Sequence, residues 1–148
     1  MANKTLWTPG GSTGATILST DLNSLGSGSI STPTEGGATY DNTSSLDLYH
    51  HFELVLASLT PTGSPYCLLY FLATLDGTNY PSPLTSHTGA IVAVFQLDTA
   101  TAAKRVAVYN KLLPNLKGKF CLLNSSGVSL ASSGNTVKLT TGNFNNNG

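Results

Sequence analysis

Charge is scarce in this sequence: of 148 residues, seven are basic and seven acidic, 9% in all, against roughly a quarter in an ordinary soluble domain. The formal net charge is zero and the pI is near 6.8, so no overall field draws the chain to nucleic acid or to an anionic membrane. Titratable groups of the kind catalysis uses are equally few. There are three histidines, His50, His51 and His87, two cysteines, five aspartates and two glutamates, a shortage that argues against an enzyme. No Gly-x-Ser-x-Gly elbow occurs, and Gly10–Gly14 and Gly26–Gly28 lack the lysine and the strand-to-helix setting of a phosphate loop. Neither a zinc spacing nor a calcium loop is present, so neither metal nor cofactor is expected. Long apolar runs are missing too. The longest, Tyr66 to Leu75 and Gly89 to Leu97, reach about half of the roughly 20 residues that a membrane-spanning helix needs. The opening residues lack the charged region, apolar segment and cleavage site of a secretion signal, from which synthesis and retention in the cytoplasm are expected.

What the chain has in abundance is serine, threonine, asparagine and glycine, together 64 residues, which favour turns, loops and short strands over helix interiors. With hydrophobic residues at 40%, this composition excludes a helical bundle and also disorder throughout. The length fits one domain. Asn3, Asn42 and Asn124 open glycosylation sequons that such a composition produces by chance. Cys67 and Cys121 sit in apolar runs and are expected as free core thiols, with a disulfide as the alternative. All seven acids lie between Asp21 and Asp98, while six of the seven bases lie between Lys104 and Lys138. Acidic and basic strands can therefore become neighbours in one sheet, or opposite-signed halves can pair head to tail between subunits.

Residues 1–38 read as an extended N-terminal arm, draped over its own sandwich or a neighbour, with one helical turn capped by Thr20. Residues 39–141 read as a β-sandwich and 142–148 as a flexible tail, frayed or laid on a neighbour. From Leu46 to Leu56 the even positions are Leu46, Leu48, His50, Phe52, Leu54 and Leu56, the period of two of a half-buried strand. His50 on that apolar set reads as a hydrogen-bonded core histidine. Tyr66–Leu75 and Gly89–Leu97 are apolar on both alternating sets. One face of each is covered by a sandwich, and the other needs the arm, a central position or a partner subunit. Further strands are expected at Lys104–Tyr109, Lys119–Asn124, Thr136–Thr140 and near Ser129–Ala131. The count of about eight, at this spacing, points to an all-β antiparallel sandwich, jelly-roll-like.

The densest set of chemical groups is Asp47, Tyr49, His51 and Glu53, alternating along one strand and expected on one face. Same-face neighbours stand ~7 Å apart, so a site there needs converging groups that no motif identifies. Asp76-Gly77 reads as a turn in the loop to Pro83. Trp7, Tyr40, Tyr49, Tyr66, Tyr70 and Tyr80 can supply sugar-stacking platforms, and Tyr66, Tyr70 and Tyr80 serve a protein contact equally well. The candidate interface residues are Trp7, Ile17 and Leu18 of the arm together with Tyr66, Tyr70 and Tyr80.

Three stretches carry a resemblance: Asn3–Pro9 with Thr20–Leu25, Asp47–Thr60, and above all Ala102–Leu139. They resemble a family of small tailed-phage virion proteins, and the resemblance covers nearly the whole chain. It implies a structural protein of the particle, made in the host cytoplasm and resident on the capsid surface. The implied role is a decoration or cement protein, a β-sandwich assembling as a trimer and bridging subunits of the major capsid protein. No functional residue is carried over by it. The alternative reading is a tail or adsorption-apparatus component that binds host glycan through the tyrosine loops.

Overall fold

A computed structural model describes residues 4–32, 39–82 and 90–147. Nine strands lie among them: β1 (Lys4–Pro9), β2 (Ala15–Leu18), β3 (Tyr40–Asp41), β4 (Tyr49–Leu59), β5 (Tyr66–Ala73), β6 (Ile91–Gln96), β7 (Ala102–Lys111), β8 (Lys117–Ser125) and β9 (Thr136–Asn147). The helical elements among the described residues include a 3₁₀ turn at Thr20–Leu22 and one α turn, α1, at Asn42–Ser45. All pairings are antiparallel. One sheet runs β1-β9-β4-β7, with β2 also on β9, and the other runs β3-β8-β5-β6. β1 pairs with the end of β9 and β2 with its start, so the two are sections of one edge. Eight strands then fill two sheets of four, and the chain crosses between the sheets at every link except β5 to β6. That connectivity is a jelly roll.

Alternation builds the interior. On β4 the even side chains, His50, Phe52, Leu54 and Leu56, are buried and face the other sheet. Phe52, Leu54 and Leu56 meet Cys67, Leu69 and Phe71 of β5, Phe120 and Leu122 of β8, and Phe95 of β6 in one core. Phe120 is central, 5.0 Å from the Phe71 ring, 5.6 Å from Phe52 and 5.9 Å from Tyr40. Gly118 lets Phe71 lie against β8, since a Cβ there would fall 2.2 Å from the ring. The other set of β5 and β8, Tyr70, Leu72, Cys121 and Leu123, forms a second cluster on the outward side of the same sheet. Doubly apolar strands thus serve two cores.

Leu18 and Leu22 are also in the main core, 2% and 0% exposed. Buried Asn124 fastens the next stretch: its Nδ2 donates to the carbonyls of Leu25 and Val128 at 2.9 and 2.8 Å. Beside it Ile30 bridges to Leu123. Residues 142–147, expected as a flexible tail, are instead the end of β9, with backbone bonds to β1 as the ordering force. β4 begins at Tyr49 rather than Leu46. The Asp41 carboxylate caps α1 by accepting from Thr43 N at 2.9 Å, and Leu46 closes the turn at φ 50°, leaving Leu46 and Leu48 59% and 45% exposed. Ser129–Ala131 forms no strand.

Candidate functional site

Oppositely charged strands meet within the subunit. Glu53 accepts from Arg105 at 3.2 Å between β4 and β7, Asp41 lies 3.3 Å from Lys117 between β3 and β8, and Asp98 pairs with buried Lys104. These pairs agree with the reading in which acidic and basic strands become neighbours in one sheet.

A polar clasp closes one end of the sandwich. His50 is fully buried; its Nδ1 lies 3.3 Å from the Lys111 carbonyl and its Nε2 2.8 Å from the Tyr40 hydroxyl. A carbonyl only accepts, so Nδ1 carries the proton and Nε2 accepts from Tyr40. Nearby Asp47, 3% exposed, accepts from Gly11 N at 3.1 Å and Asn143 Nδ2 at 2.9 Å. Asn42 brackets its backbone, accepting from Asp47 N at 2.8 Å and donating to Asp47 O at 3.1 Å. Gly10 is required here, because a Cβ would lie 2.3 Å from Thr141 Oγ1 and 2.4 Å from Asp47 Oδ1.

The electrostatics of the clasp are those of a structural joint. Burial lowers the pKa of His50, and burial followed by the Asp47 charge raises that of Tyr40. Burial alone would raise Asp47, but hydrogen bonds from Thr141, Gly11, Ser45 and Asn143 together hold it below the usual carboxylate value. A neutral buried ring, a phenol that holds its proton and a saturated carboxylate exchange nothing near neutral pH.

The His50 shift has a pH signature. Below its ordinary value near 6.5 the unfolded chain takes up a proton that the folded chain resists, so stability falls as pH drops from there toward the lowered value. The thermal midpoint of the wild type is expected to decline between pH 7 and pH 5.5, and His50→Gln to flatten that interval. Equal slopes in the two proteins would remove His50 as the cause.

The expected row of Asp47, Tyr49, His51 and Glu53 is broken. Asp47 precedes β4 and is held in the clasp, while Tyr49, His51 and Glu53 line the outward face of β4. They are joined there by residues that strand periodicity could not place. Phe144 of β9 packs edge-on against Tyr49 at 5.0 Å, and Tyr109 of β7 lies 6.0 Å from the His51 ring. Among the described residues no three His, Cys, Asp or Glu side chains group as metal ligands, and His87 lies outside those residues.

The candidate interface residues fall in different settings. Trp7 is opposite Phe144 in the β1–β9 register, and its side chain lies outside the described residues. Ile17 is half-buried against the main core. Leu18 and Tyr70, 2% and 0% exposed, are interior and so form no subunit surface: the β2 edge turns Leu18 inward, and Tyr70 sits in the second cluster. Tyr66 is half-buried on the outward side of β5. Tyr80 is held by its own chain, with Lys119 Nζ 4.5 Å from its ring centre and its hydroxyl 3.4 Å from Thr39. The tyrosines therefore build no common platform. The Asp76 loop is a tight turn: Asp76 Oδ1 accepts from Thr78 N and Asn79 N at 2.9 and 2.7 Å, and Gly77 takes φ 76°.

The sheet β3-β8-β5-β6 carries an apolar outward face. Val94, 51% exposed, stands opposite half-buried Leu68, with Ile91 and Ile30 packed on the second cluster. Within that cluster the Tyr70 hydroxyl is buried without a hydrogen-bond partner among the described residues. Cys67 and Cys121 are free thiols on opposite faces of this sheet. Burial pushes their pKa values up to about 11 and about 12, so both stay protonated and unreactive. Asn42 and Asn124 are buried and hydrogen-bonded, and Asn3 lies outside the described residues. No protein-family model matches the chain, and no curated protein matches its sequence.

Proposed function

We propose that the protein is a structural subunit of a tailed-phage particle, a decoration protein that binds the outside of the shell and stabilises contacts between coat subunits. The observation that carries this reading is the outward face of β3-β8-β5-β6. An antiparallel sheet with one solvated face alternates apolar and polar residues, yet here Leu68, Ile91 and Val94 continue the apolar character beyond the sandwich. The zero net charge removes the repulsion that keeps monomers apart, and the jelly roll is a fold that capsid proteins use. The resemblance of Ala102–Leu139 to small virion proteins points the same way. The mechanism is linkage: a subunit that binds the assembled lattice, and not its dissociated parts, stabilises the shell by mass action. Trimeric assembly belongs to the same proposal.

Val94→Asp tests it, since the side chain is half-exposed and its loss does not open the core. Shells lacking the protein should regain thermal stability when the wild-type chain is added and fail to regain it with the folded variant. Equal protection by both would overturn this face as the shell-binding surface.

A further inference from the structure

We propose that the groove on the opposite side of the molecule, across β9, β4 and β7, binds a carboxylate-bearing saccharide. It encloses about 440 Å³ and is lined by Gly14, His51, Glu53, Tyr109, Lys138 and Thr140, among others, a volume in the range of small-ligand sites.

Its shape comes from a local irregularity. Between the pairs His50↔Lys111 and Phe52↔Val108, β4 contributes one residue, His51, and β7 contributes two, Tyr109 and Asn110. This is a β-bulge, in which Asn110 takes a left-handed φ of 56°. The bulge leaves Tyr109 66% exposed with its ring tilted beside His51. Bulges occur both at sheet edges and beside binding sites, where they re-aim a side chain; β7 is the edge strand of its sheet, and here the bulge turns the Tyr109 ring over the groove.

The groove is also rich in uncommitted donors. Asn110 N donates to His51 Nδ1 at 3.2 Å, so the neutral ring carries its proton on Nε2. Gly14 N donates to Thr140 Oγ1 at 2.9 Å, which leaves the hydroxyl proton to donate. Glu53 is engaged by Arg105, while Lys138, opposite Glu53 in the register, has no ion-pair partner among the described residues. One unpaired ammonium, a ring N–H and a hydroxyl beside an exposed aromatic ring select a flat ligand with an apolar face, acceptor oxygens and one negative charge. A uronate-type pyranose has those three properties. The inference stands apart from the particle assignment, because this sheet faces away from the one proposed to seat on the shell.

The test is a calorimetric titration of the full chain with oligogalacturonate and a glucuronate-containing oligosaccharide, each beside its neutral counterpart. Wild type should bind a uronate probe about tenfold more tightly than the neutral one. Tyr109→Ala should weaken binding of both by about tenfold, and Lys138→Gln should abolish only the preference for the uronate. Both positions are on the outward face, so circular dichroism should show folded variants. Absence of saturable binding to either uronate probe, equal affinity for the neutral ones, or unchanged binding by Tyr109→Ala would each overturn the proposal.

Discussion

Replacing Phe120 with alanine is expected to destabilise the fold by about 3–5 kcal/mol, the range for deleting a buried phenylalanine ring. Phe120 is 4% exposed and touches Phe52 of the facing sheet, Phe71 of its own sheet and Tyr40 at the clasp. Removing it leaves a cavity between two sheets whose strands are locked by backbone pairing, so collapse around the gap is limited. For a chain of this length the thermal midpoint should drop by roughly 10 °C or more. Thermal or urea unfolding measures it directly, and a loss below about 1 kcal/mol would mean that the two sheets do not pack around this ring.

Asp47→Ala should cost about 2 kcal/mol, within the range for losing hydrogen bonds to a charged acceptor. The carboxylate satisfies Gly11 N and Asn143 Nδ2, and it joins the first edge of the β1-β9-β4-β7 sheet to the end of β9. Alanine removes the acceptor shared by Gly11 N, which is exposed, and Asn143 Nδ2, which is half-buried. Acid reproduces the lesion. The folded Asp47 carboxyl lies below its ordinary value, so its contribution is present above about pH 4 and is lost as pH falls through the folded value. Unfolding measured at pH 7 and pH 3 should show a smaller acid loss in Asp47→Ala than in wild type. Identical acid losses would place the acid sensitivity elsewhere.

The six strands from β4 to β9 were legible because period-two patterning and Gly, Pro and Ser turns both act locally. β4 was anticipated three residues early because Leu46 and Leu48 fit its alternation. The competing signal, Asp41 capping a turn at Asn42–Ser45, is equally local and takes those residues out of the strand. The end of β9 was not legible. Gly142 and four asparagines disfavour a strand intrinsically, and contacts remote in sequence order them: pairing with β1 at the far end of the chain, and bonds from Asn143 to Asp47 and Leu48. His50 was readable as a core histidine from its place among leucines. The groove was not, since Tyr109 reaches His51 through a bulge in which Asn110 takes a left-handed φ, and a single sequence carries no mark of that. Leu18 and Tyr70 seemed suited to an interface because an apolar residue in an arm or a doubly apolar strand looks unpartnered until the second cluster is seen.

The proposed role requires the chain to cover a shell in many copies. Quantitative mass spectrometry of purified particles, with labelled peptides of this chain and of the major capsid protein, measures it directly. A decoration subunit should be present in a copy number comparable with that of the capsid protein. A count appropriate to a single vertex or a tail, or absence from the particle, would contradict it.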